Sequence, residues 1–142
     1  MTIYQTLVSQ ASEARARAQA RLNELRLVAT NLRNELEGAI RAPEGCIQLA
    51  QTKPDGSLRQ VAPDNLAYTE ENTIEFAFRV QLDGARGAVA TLSVPVSVSR
   101  TDVGIVFIVE GSNPNLYAGA SNPQMITLIE NSLVRQANAV GV

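Results

Sequence analysis

At 142 residues, 45% of them hydrophobic, the chain has the length and apolar content of one compact domain. Fourteen acidic against twelve basic residues leave a net charge of -2, so no basic excess exists to neutralise a phosphate backbone, and nucleic acid is a poor expected partner. The absence of His and the presence of a single Cys, Cys46, remove the commonest neutral-pH base, the commonest zinc ligand and any intramolecular disulfide, which sets aside zinc, haem and triad chemistry and leaves no cofactor to expect.

From Tyr4 to Ile40 there is no Pro, and no Gly before Gly38, in a stretch rich in Ala, Leu, Arg, Glu and Gln. These are strong helix formers, and one long helix is expected. Tyr4, Leu7, Ala11, Ala14, Ala18, Leu22, Leu25, Ala29, Leu32, Leu36 and Ile40 recur at three- and four-residue steps, which keeps one stripe facing a partner. The early half of the stripe is narrow and Ala-rich, suited to close approach by another helix. The later half, widened by Leu27 and Val28, suits a sheet. Thirty-seven helical residues span roughly 55 Å, whereas a compact chain of this size has a radius of gyration of about 14 to 15 Å. A straight helix must therefore overhang its own domain, and self-association through Leu7, Ala11, Ala14, Ala18, Leu22 and Leu25 is expected. The alternative is a turn near Thr30-Asn31 that folds the segment into a helical hairpin. Six arginines against four glutamates leave residues 1–41 at +2, a charge that scattered surface ion pairs explain.

Residues 42–142 form the expected α+β body, one folding unit with the helical arm of residues 1–41. Pro43 and Gly45 end the helix, and the period changes to alternation. A first hairpin is expected from Cys46–Thr52 and Ser57–Ala62 across Lys53-Pro54-Asp55-Gly56, where Pro and Gly suit a type I turn. Next, Ile74, Phe76, Phe78, Val80 and Leu82 alternate with polar or small residues, as do Ala88, Ala90, Leu92, Val94, Val96 and Val98. Closing on Asp83–Gly87 pairs Val80 with Ala90, Phe78 with Leu92 and Phe76 with Val94. A tight turn at Thr101-Asp102 then pairs Val98 with Ile105 and Val96 with Phe107, all on one core face. Pro95 has no N–H for a ladder, so a bulge, or a neighbour whose pairing ends there, is expected. The sum is a five-stranded, mainly antiparallel meander.

Asn122 or Ser121 is placed to cap a last helix over Pro123–Val140, whose stripe packs it on the apolar face of the sheet. The 111–122 loop before it carries Asn115 and Tyr117, candidates for ligand contact together with Arg79 and Ile108 of the opposite sheet face. That face, semi-polar with an apolar spot around Pro95, Val106 and Ile108, reads as solvated or as an interface. No Walker-type loop or GxGxxG is present: Gly84-Ala85-Arg86-Gly87 is short and closes a hairpin. Cys46 lacks a His to activate it. No catalytic or metal residue is assigned.

Three functions follow as expectations. The first is a non-enzymatic, homo-oligomeric adaptor or assembly module that joins copies, or docks a partner protein, through the N-terminal helix. The second is a small-molecule binding or sequestering protein with its pocket between subunits near the 111–122 loop. The third is a small carboxylate enzyme, which requires Glu75, Arg79 and Glu110 to converge. No run approaches the ~20 apolar residues of a membrane span, and Met1-Thr2-Ile3-Tyr4 opens no signal peptide. A cytoplasmic location without a membrane partner is expected.

Overall fold

The computed structural model describes residues 2–84, 87–119 and 121–140. Its first element, α1 (Ile3–Ile40), is one uninterrupted helix, so the hairpin alternative near Thr30-Asn31 does not occur. Thr30 stays helical by donating its hydroxyl back to the Arg26 carbonyl, 3.1 Å away. A left-handed Arg41 (φ 53°) ends the helix, and Pro43 follows two residues later.

Six antiparallel strands follow: β1 (Ile47–Thr52), β2 (Leu58–Gln60), β3 (Thr73–Gly84), β4 (Gly87–Thr101), β5 (Gly104–Val109) and β6 (Asn115–Leu116). Their order across the sheet is β2-β1-β3-β4-β5-β6, and α2 (Pro123–Ala139) closes the chain. The sixth strand corrects the expected count. It is two residues long, too short to show an alternation, and it pairs Val106 with Leu116 and Phe107 with Asn115.

The faces of the sheet are as expected, and the register is not. Ile74 pairs with Val98, Phe76 with Val96, Phe78 with Val94 and Val80 with Leu92, each two residues from the expected partner. The β4–β5 register differs in the same way, with Val96 opposite Val109 and Val98 opposite Phe107. The cause lies in the turns. Pairing continues to Gly84 opposite Gly87 across an irregularity between Leu82 and Asp83, and Thr101 pairs directly with Gly104. Alternation has a period of two, so it cannot distinguish registers that differ by two. Ala85 and Arg86 of the expected loop lie outside the described residues.

Pro95 sits opposite Ala77 in an unbroken ladder with β3. On its other side the Glu110 N–H donates to the Pro95 carbonyl at 2.9 Å, and β5 stops at Val109. The missing N–H therefore falls where the neighbouring strand ends, with Glu110 turning away in the left-handed region (φ 52°).

Both helices cover one face. Leu25, Val28, Ala29, Leu32 and Leu36 of α1 and Met125, Ile129 and Leu133 of α2 are buried on Ile47, Leu49, Ile74, Phe76, Phe78, Val94, Val96, Val98 and Phe107. Each large apolar side chain so removed from water contributes roughly 1.5 to 3 kcal/mol. Phe76 and Phe78 meet edge to face, with ring centroids 5.3 Å apart. No element of the described chain covers the other face. Among the described residues no helix is long and apolar enough to cross a membrane.

Candidate functional site

Helix α1 begins at Ile3, one residue before its apolar stripe, where Thr2 caps it. The Gln5 N–H donates to the Thr2 hydroxyl at 3.1 Å, and the Thr2 N–H donates to the Gln5 side-chain oxygen at 2.9 Å. From there to Arg17 the helix makes no contact with the body among the described residues. Ile3, Tyr4, Leu7 and Val8 are 80, 75, 57 and 48% exposed, and Ala11 and Ala14 are exposed as well. Contact with the body starts at half-buried Ala18, whose carbonyl accepts from the Tyr68 hydroxyl at 3.2 Å. Above it Arg26 donates to the Leu66 carbonyl at 2.8 Å, and Glu24 pairs with Arg100 at the end of β4.

The expected interface residues thus separate into two groups. Leu7, Ala11 and Ala14 project freely, with Ala18 at the boundary. Leu22 packs on the core, and Leu25 is only 1% exposed, so both belong to the chain's own interior and are not open to a partner. The physical reason is continuity, since the same three- and four-residue stripe serves the sheet from Leu22 onward and nothing before Ala18. At the junction, Ala18, Arg21, Tyr68, Glu70, Glu71 and Asn72 enclose a concavity of about 420 Å³.

The four candidate ligand residues do not converge. Asn115 lines a mainly apolar groove of about 500 Å³ between the 112–115 segment and the first turns of α2, with Pro123, Thr127 and Leu128 opposite. Tyr117 faces α1 instead, and its hydroxyl accepts from the Asn31 amide at 3.1 Å. Arg79 and Ile108 lie on the uncovered sheet face, two strands apart.

Asn122 precedes Pro123 as expected of a cap, yet its side chain turns away from the helix. Its oxygen accepts from the Ala118 N–H at 2.7 Å, and its amide donates to Glu35 at 3.0 Å and to the Gly119 carbonyl at 3.0 Å. The Asn122 N–H donates to the other Glu35 oxygen at 2.7 Å. Glu35 therefore brings a carboxylate from α1 to the positive end of α2 and holds the two helices and the closing loop together.

Glu110 does not join Glu75 and Arg79. Its carboxylate accepts from the buried Ser132 hydroxyl at 2.7 Å and from Arg135 at 2.8 Å, both on α2. Glu75 and Arg79 remain on the uncovered face of β3, so the three groups required for a carboxylate enzyme are dispersed. Ser132 also accepts from Gln136, whose carboxamide makes two hydrogen bonds with the backbone of Ser93 on β4. Sequence spacing gave no signal for Glu35, Ser132 or Gln136, because their partners lie on other elements. No family model, curated protein or solved structure matches the chain.

Proposed function

We propose that the protein is a non-enzymatic assembly module whose N-terminal helix joins copies of the chain. The observation that carries this reading is the projection of the first half of α1. The helix has 38 residues and is about 57 Å long, and its first half leaves a stripe of Tyr4, Leu7, Ala11 and Ala14 in water. Four neighbouring large apolar residues at one helix end form an adhesive patch when a complementary surface arrives. The second half of α1, anchored in the core, nucleates the helix and keeps the projecting half in register for a partner.

The test is the double variant Ala11→Glu, Ala14→Glu, followed by light scattering after size exclusion. Both positions are exposed, so the fold is retained, and four carboxylates meet in the seam of a paired arm. The expected result is an oligomeric parent and a monomeric variant with unchanged circular dichroism. A variant that assembles like the parent removes the stripe as the interface.

A second reading has its own observation. The groove of about 500 Å³ beside Asn115, Pro123 and Leu128 is open and largely apolar, and an apolar wall with a few polar groups is what a small molecule needs. A small-molecule binding function at that groove rests on it, independently of the arm.

A further inference from the structure

We infer that two copies exchange their arms antiparallel, with the tip of each helix seated in the partner's concavity between Ala18 and Asn72. This rests on the self-assembly reading and adds its orientation and contact. Three features of the arm favour antiparallel over parallel pairing.

The first is size. Tyr4, Leu7 and Val8 near the tip are large, and Ala11, Ala14 and Ala18 toward the base are small. A parallel pair sets large against large at one end and alanine against alanine at the other, which splays the helices. An antiparallel pair centred between Ala11 and Ala14 sets Leu7 across from Ala18, and Tyr4 across from exposed Arg21. Leu7 then meets an alanine on each side of an alanine centre and never its own copy.

The second is charge. Residues 3–12 carry none, whereas Arg15, Arg17 and Arg21 crowd the base half. A parallel pair aligns each arginine with its own copy. An antiparallel pair lays the charged half of one helix beside the uncharged half of the other.

The third is complementarity at the tip. The first turn of α1 contains no acidic residue, so the positive end of the helix lacks a counter-charge of its own. About 27 Å separates Ile3 from Arg21 along the axis, so the centred pairing brings each N-terminus level with the partner's concavity. Glu70 and Glu71 line that concavity together with Arg21, which leaves it net acidic, and the two glutamates have no ion pair among the described residues.

The experiment uses the full chain with Cys46→Ser as background. Isotopically labelled Leu7→Cys protein is mixed with unlabelled Ala18→Cys protein, oxidised, and read by intact mass. The expected product is the mixed disulfide between positions 7 and 18. A dominant 7-to-7 disulfide shows parallel pairing and overturns this inference while leaving arm association standing. A dimer with neither link overturns both, as does a monomer. In a second measurement, Glu70→Lys with Glu71→Lys raises the dimer dissociation constant about tenfold or more, and Glu130→Lys on α2 leaves it unchanged. An unchanged constant for the first pair overturns the seating of the tip.

Discussion

Glu35 ties α1 to the residue before α2, and its role is invisible along the chain. In sequence it is one of several glutamates on a long helix; in space it binds the backbone and side chain of Asn122, 87 positions away. Asn122 is 1% exposed, so removing the carboxylate leaves its buried N–H without an acceptor and its amide with only the Gly119 carbonyl. Glu35→Ala is expected to cost about 1 to 3 kcal/mol in urea unfolding, and an unchanged midpoint would contradict the staple. Asp55, by contrast, has a local partner, two residues along the chain. Hydrogen bonds from the Ser57 hydroxyl and N–H hold its carboxyl below the usual aspartate range. A folded value below the unfolded one stabilises above the unfolded value and is lost as pH falls through the folded value. Asp55→Asn is therefore expected to be less stable than the parent at neutral pH and to converge with it as pH falls through the folded value. A gap that persists below that value would contradict this origin.

At the scale of elements, both helices and the alternating strands were legible because burial imposes a period, and a period survives in sequence. The long helix, the core face shared by Phe76, Phe78, Val96 and Phe107, and the final helix after Pro123 all follow from it. Absolute register did not follow, since pairing between β3 and β4 continues to Gly84 opposite Gly87, past the expected close, and the two-residue turn after β4 falls on Asp102-Val103, one position later than expected. The way the sheet edge is closed was not legible either. Past the end of β5, the Ser93 N–H and carbonyl of β4 would face outward unpaired, and the Gln136 carboxamide pairs with both at 3.2 and 2.8 Å. A side-chain amide here substitutes for a strand. Gln136→Ala is expected to destabilise the chain by about 1 kcal/mol and to speed hydrogen exchange at Ser93. Unaltered exchange at that amide would show that the edge is protected by something else.

The whole molecule is an anchored helix with a free end. Its overhang was legible from arithmetic alone, because a helix of this length cannot fit within a compact domain of this chain length. The point at which contact with the body stops was not, because Leu22 and Leu25 carry the same stripe as Ala18 and Ala14. Only the position of the sheet, which ends near Thr73 and Arg100, divides the stripe between the chain's own core and a partner. Self-assembly through the projecting half is the central claim. Native mass spectrometry of the purified full chain tests it most directly, since subunit number and any bound small molecule appear in one spectrum. The account predicts a multiple of the chain mass with no added mass. A monomer at micromolar concentration would contradict it, and a monomer with a reproducible small-molecule adduct would transfer the function to the groove beside Leu128.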